Sequence, residues 1–334
     1  MREDNQRVLG IEAMRYVGAV LVIVIHALPV ANMSGLPVWV PLVTGFCRGA
    51  VPFFLIASGA FLPTSRAGIN IVVKPLRRLA PIYLATMSFY YVFLKLYPVH
   101  PWHPHLGDLI SGGEAFHLWF LPALGVALVI VAGGLATVGN KATGVIVVLM
   151  AAYSLSRGAY LEVMHLPGSP GRGGMFMAPL YVWIGTMVAR GPRPPAAVAL
   201  LAIAGSYALM LGEETALVSY SGSGLLVSHD FVLSTIPLGV SFYLLAASLP
   251  ETPIVRTLSK AGAVSLTVYI MHLAVLWVLQ NLIGQGTAFR IIATIFCTTV
   301  LATGFGFAMK RAAILKRLGL DGRQRAKSLA SSKP

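Results

Sequence analysis

Glu12, Arg15 and His26 lie in the first long apolar run of the chain, EAMRYVGAVLVIVIH. Ionisable side chains are costly there, and each needs a partner, a water-filled cavity or a chemical task. On a helix, Arg15 and His26 stand about 20° apart around the axis and about 16.5 Å apart along it, so they project from nearly one face. Glu12, three residues before Arg15, reaches the guanidinium on that face and lowers the cost of burying it. An imidazole can take up and return a proton, and a guanidinium binds carboxylate and phosphate oxygens. Simpler readings stand beside these: Arg15 can snorkel to an interface, and His26 can be a core histidine bonded to a neighbouring helix.

Other candidates follow along the chain. Arg48 sits too deep in its run for snorkelling, so stabilising an oxyanion, contacting an acceptor, or pairing with Glu12 or another helix all stay open. Arg77 and Arg78 are either phosphate binders or signals that set topology. His117 and Trp119 open an apolar run, as interfacial anchors do. Tyr269 and His272, three residues apart, share a helix face and can line one cavity. Ser58 and Gly59 form a small pair suited to close helix packing rather than nucleophilic chemistry. The histidines of HPWHPH (100–105) are interrupted by proline and lack cysteine or a carboxylate cluster, so no metal is expected. The glycines at 212 and 222–224 read as outer loops, without the strand and helix context of a phosphate loop.

The elements that must position these residues are membrane spans. The 334 residues are 57% hydrophobic and 11% charged, against about 25% charged in soluble domains. Apolar runs at 9–31, 40–62, 80–97, 117–136, 142–160, 175–189, 195–212, 230–249, 263–283 and 288–309 predict an all-α polytopic membrane protein of about ten transmembrane helices. The net charge of +14 raises nucleic acid as a partner, but most Lys and Arg fall between runs and in the tail, which excludes that reading and sets topology instead. With both termini cytoplasmic, the inner segments hold Arg2, Arg7, Arg66, Lys74, Arg77, Arg78, Lys141, Arg190, Arg193, Arg256 and Lys260, together with the tail. The outer loops are then 32–39, 97–116, 156–174, 212–229 and 284–287. Residues 1–310 form the integral membrane domain, and 311–334 a basic tail that lies on anionic lipid or is disordered. Cys47 and Cys297 sit inside apolar runs and imply no disulfide framework. The first run lacks a cleavage site and is a retained helix.

Five motifs in order carry a family resemblance. Arg-x10-His in the first run, with Glu12 as its acid, resembles the first helix of the membrane acyltransferase 3 family. RGAVPFFLIASGAFL (48–62) resembles its second helix and KPLRRLAPIYL (74–84) the basic entry to its third. HLWFL (117–121) resembles its fourth-helix opening, and SLTVYIMHL (265–273) its late Tyr-x-x-His segment. The resemblance implies transfer of an acyl group, most often acetyl, from cytoplasmic acyl-CoA to a hydroxyl of an extracytoplasmic carbohydrate. It makes acetyl-CoA the donor substrate, His26 the catalytic histidine and Arg15 a donor-binding or site-organising residue. Neutral imidazole suits this as the general base for a hydroxyl attacking a thioester; acylation of His26 itself is the alternative. Arg15, Arg77 and Arg78 would hold the CoA phosphates. Glu12, Arg48, His117, Tyr269 and His272 would support the site or face the acceptor. The expected location is a bacterial cytoplasmic membrane, with no appended esterase-like domain. The competing functions are a transporter or exporter of a polysaccharide-related substrate, against which the lack of an internal repeat counts, and a non-catalytic partner of a polymer-assembly complex.

Overall fold

The computed structural model describes residues 2–28, 37, 39–62, 70–97, 102–167, 173–221, 229–284 and 287–317, and within them it is all-helical. Helix is the form that lets a long apolar segment satisfy its backbone polar groups without water. The first run forms α1 (Arg2–Ala27). The second divides into α2 (Trp39–Cys47) and α3 (Ala50–Ala60). Pro52 lacks the N–H that would bond to the Arg48 carbonyl, and the chain closes the gap with short-range bonds from the Arg48 and Gly49 amides. Then come α4 (Asn70–Leu96), the short α5 (Asp108–Ser111), and a 3-10 turn, Phe116–Trp119, that leads into α6 (Phe120–Thr137). The chain continues through α7 (Gly139–Arg157), α8 (Gly174–Val188), α9 (Ala196–Ser221), α10 (Thr235–Ser248), α11 (Pro253–Gly262), α12 (Ser265–Ile283) and α13 (Ala288–Arg317).

Every expected apolar run contains helix among the described residues, and three features differ from expectation. First, helix α9 continues to Ser221, so Gly212, Glu213 and Glu214 are helical residues rather than part of an outer loop. Second, α11 occupies an expected inner loop. Thr252 accepts a bond from the Val255 amide at its start and Pro253 opens it, the usual chemistry of a helix N-terminus. Helices α10 and α11 meet at a 120° bend. Third, among the described residues 7 helices are long and apolar enough to cross a membrane, or 8 counting that bent pair, against the expected count of about ten. The shortfall has a physical reason: α8 has 15 residues, about 22 Å of rise, short of a hydrocarbon core about 30 Å thick. Helix α7 opens on Gly139, Asn140 and Lys141, which dilutes its apolar length. The outer surface of the bundle is apolar, with Phe289 and Phe296 of α13 80% and 67% exposed, as a lipid-facing helix requires. The expected basic tail begins as helix, since α13 runs to Arg317; residues 318–334 and His100 lie outside the described residues.

Helix α1 is the hub and packs on α2, α3, α10, α11, α12 and α13. A second centre is α8, which packs on α3, α6 and α7. The two are joined through α3, where a Cβ on Gly59 would strike the Val182 carbonyl and one on Gly185 would strike the Ile56 carbonyl. Backbones meet there with only hydrogen between them, so Gly59 is a packing residue. Gly262 at the end of α11 meets the Glu12 carbonyl of α1 in the same manner.

Candidate active site

Midway along α1, the Arg15 guanidinium donates to Glu12 from Nη1 at 2.8 Å. It also lies 5.7 Å from the ring centroid of Phe61, just beyond α3. The pair is half-buried, and the Phe61 ring face supplies a second favourable partner for the cation. Next to it, the Tyr16 hydroxyl and Thr303 Oγ1 of α13 are 3.0 Å apart. Arg77 and Arg78 are exposed on α4, and among the described residues no hydrogen bond or ion pair joins them to Arg15 or His26.

Near the far end of α1, three imidazoles come together from three parts of the chain. The His26 ring lies 5.3 Å from that of His272, with their planes 21° apart. The His272 ring meets that of His117 edge to face at 4.9 Å, and Phe116 packs on His26 at 5.2 Å. His272 and His117 are 0% and 2% exposed, whereas His26 is half-buried at their margin. Gly262 meets Glu12 and His272 meets His26, so α12 runs parallel to α1 and carries its histidine to the same level.

Backbone carbonyls of α12 fix the two buried rings. His272 Nδ1 donates to the Tyr269 carbonyl at 2.6 Å, and His117 Nε2 donates to the Ile270 carbonyl at 3.3 Å. The Tyr269 hydroxyl in turn donates to the His117 carbonyl, tying α12 to the 3-10 turn before α6. Tyr90 of α4 completes the frame. Its hydroxyl donates to the Ile270 carbonyl at 2.7 Å and accepts from the Ala274 amide at 3.2 Å, two groups that ordinarily bond each other along a helix. Tyr90 was not among the residues singled out from sequence. A tyrosine in an apolar helix is a ready signal that its hydroxyl has a partner, but the identity of that partner emerges only from packing.

Arg48 lies in a different group. At the α2–α3 break, its Nη1 donates to the His229 carbonyl and to Asp230 Oδ1 at 3.1 Å, just ahead of α10. His229 Nδ1 lies 3.1 Å from Oε2 of Glu214, a carboxylate that is 0% exposed on α9. The neighbouring Glu213 accepts from the Leu233 and Ser234 amides at 2.9 and 2.8 Å and from Tyr160, which covers the free amides at the start of α10. Two adjacent carboxylates followed by the apolar turn ALVSY were the available signal for this group. Among the described residues, no cluster of three or more His, Cys, Asp or Glu has the disposition of a metal site.

The loop before the 3-10 turn is also built from specific bonds. Trp102 Nε1 donates to Asp108 Oδ2 at 2.8 Å and the His105 amide does so at 3.0 Å. These bonds, the Trp102 one foremost, hold the Asp108 carboxyl below its usual range. The Tyr83 hydroxyl of α4 bonds to the carbonyls of Asp108 and Leu109, fixing the loop that leads into His117.

A family model described as an acyltransferase domain matches residues 8–309. The chain is similar to a serine/alanine racemase of Enterococcus gallinarum, 27% identical over 293 residues that make up 79% of this chain and 40% of that protein. It is also similar to two amino-acid racemases of Enterococcus faecalis. One is 30% identical over 132 residues, 36% of this chain and 17% of that protein, and the other 23% identical over 330 residues, 89% and 46%. The chain thus spans less than half the length of each of these curated relatives. No solved structure matches.

Proposed function

The chain belongs to the acyltransferase 3 family, and from that premise we propose that it is a membrane O-acyltransferase that moves an acetyl group from acetyl-CoA to a hydroxyl of an extracytoplasmic carbohydrate, with His26 as general base. The observation that carries this reading is the placement of the His26 imidazole, half-buried, against two buried imidazoles. Such a base is sheltered enough to act in a low-dielectric site while retaining an open edge for substrate.

In this mechanism the acceptor oxygen attacks the thioester carbonyl carbon as His26 takes its proton. The tetrahedral intermediate collapses, the carbon–sulfur bond breaks, and the imidazolium returns the proton to the departing thiolate. The products are an ester and free CoA. Arg15, already positioned by Glu12 and Phe61, meets the donor, with Arg77 and Arg78 at the same membrane face for the CoA phosphates. The distance of about 16.5 Å along α1 is comparable to an extended pantetheine arm, so a donor held at Arg15 can present its thioester at His26. Glu12, His117, Tyr269 and His272 support the site or face the acceptor, and Arg48 stands apart in its own group ahead of α10. On this reading both termini are cytoplasmic, residues 1–310 form the catalytic membrane domain, 311–334 are a basic tail, and the membrane is a bacterial cytoplasmic membrane.

The test is NMR of surface glycan from strains that carry the wild type or His26→Ala at equal membrane abundance. The acyl signal is expected to disappear in the variant. An unchanged acylation pattern would replace this reading with transport of a polysaccharide-related substrate.

A further inference from the structure

Helix α4 carries the apolar span Leu76–Leu96, and its uncovered side chains, Leu84, Val92 and Leu96 among them, make the kind of surface that a bilayer covers. The span ends on interfacial groups. Lys95 Nζ lies 5.6 Å from the ring centroid of Tyr91, and the Trp102 ring meets that of Tyr91 at 6.0 Å. Lys, Tyr and Trp side chains of this kind gather at headgroup level. Beyond Trp102 the chain does not continue outward. The Tyr83 hydroxyl holds the carbonyls of Asp108 and Leu109, and Tyr83 lies about 12 Å further back along α4 than Tyr91. Between Trp102 and Leu109 the chain therefore turns back along the flank of α4, into the depth occupied by its apolar span.

Two features of this segment suit a place without water. Its backbone is satisfied from within: every amide from Asp108 to Gly112 donates to a backbone carbonyl, and that of Gly113 to Ser111 Oγ. The Asp108 carboxylate takes the Trp102 N–H and the His105 amide. Irregular backbone is tolerated at membrane depth only where protein groups satisfy it in this way. Its uncovered side chains, moreover, are large and apolar. Leu106 is 87% exposed, and Leu109 and Ile110 are exposed beside it. Water disfavours such a cluster, and acyl chains do not. The cluster continues the exposed face of α4, where Leu84 adjoins the Tyr83 that anchors the segment. The exit is equally tight. Gly112 and Gly113 adopt φ of 82° and 56°, and a Cβ on Gly113 would strike the Trp102 ring, so the chain reverses at once into the 3-10 turn that carries His117.

We propose that residues 102–113 form a re-entrant turn docked on the acyl chains of the bilayer, with Leu106, Leu109 and Ile110 seated in lipid beside α4 and His103 and His105 left at the headgroups. The partner is the hydrocarbon layer rather than a second protein or a soluble sugar, because the three side chains offer neither donor nor acceptor and extend a face that lipid covers. The turn that carries His117 then begins below the headgroups, and lipid helps to hold it. This inference does not depend on the acyl-transfer reading, and its failure leaves that reading untouched.

The test uses the full wild-type chain in phosphatidylcholine vesicles that contain a phospholipid with a photoactivatable diazirine on one acyl chain. After illumination, adducts are mapped by mass spectrometry. They are expected within residues 106–110 as well as on α4 and α13. Adducts on α4 and α13 with none within 106–110 would overturn the proposal. A second measurement reports the solvent at each position, with nitroxide labels on single cysteines in a Cys47→Ala, Cys297→Ala chain. Labels at Leu106→Cys and Ile110→Cys should match Leu84→Cys in relaxing severalfold more with oxygen than with a water-soluble nickel complex, and His103→Cys should show the reverse preference. Preferential access of nickel at 106 and 110 would put the segment in water and reject the docking.

Discussion

Two groups of ionisable side chains are built into this apolar bundle, and they are satisfied in opposite ways. Around Arg48, charged groups answer one another: Arg48 with Asp230, and Glu214 with His229. Around His26, the buried imidazoles are answered by backbone carbonyls of a single helix, one nitrogen each. Pairing between charged side chains of different elements produces a fixed joint between helices. Pairing that uses only half of each ring orients it and leaves its second nitrogen without a hydrogen-bond partner. The first group therefore fastens α9, the approach to α10 and the α2–α3 break, while the second is the proposed site.

This difference predicts that damage to the first group appears in stability and damage to the second in rate. The largest stability effect is expected for His229→Phe, which takes a donor from the buried Glu214 carboxylate and costs about 2 kcal/mol. Thermal denaturation in detergent measures that loss, and CoA release per folded molecule should stay close to wild type. A large fall in specific rate would erase the distinction between the two groups. Tyr90→Phe should do the reverse. Removing one hydroxyl costs about 1 kcal/mol of stability, but loosening the frame that aims His117 and His272 lowers turnover about tenfold. Steady-state kinetics and a melting curve on the same preparation decide it, and a variant that loses stability but no rate would make the imidazole frame structural.

The smallest effect is expected at Asp108→Asn, which weakens the bonds from Trp102 and the His105 amide. The wild-type carboxyl is depressed on folding, so its contribution is present above the unfolded-state carboxylate range and fades as pH falls through the lower folded value. Limited proteolysis of the loop should distinguish the variant from wild type near neutral pH and cease to do so in acid. A difference that persists unchanged in acid would show that the charge of Asp108 does not hold the loop.

Much of the architecture was legible because a bilayer imposes its own arithmetic. Apolar runs of a fixed length become helices, and the Arg15–His26 spacing and the Glu12–Arg15 pair follow from helix geometry alone. Interactions between distant segments were harder to see. Helix α11 is short and mixes Arg256 and Lys260 with apolar residues, so it has no span signature, and its role emerges only where Gly262 meets Glu12. Glu213 and Glu214 look like the end of an apolar run until their partners at 229–234 and Tyr160 are placed beside them. The number of crossings is harder to read for a related reason: hydropathy identifies apolar helix, and α8, packed among α3, α6 and α7, is apolar without being long. His117 and His272 were both identified from sequence, but their mutual contact depends on α12 running parallel to α1, which no local pattern encodes.

One phenol oxygen on Tyr90 answers both a carbonyl and an amide of α12. Sliding or swivelling α12 against α4 would therefore break two bonds in the same movement and displace both buried histidines with them. A bulky acceptor that enters from the side by parting helices meets its stiffest seam here, so a lateral gate into the bundle has to open along another pair of helices.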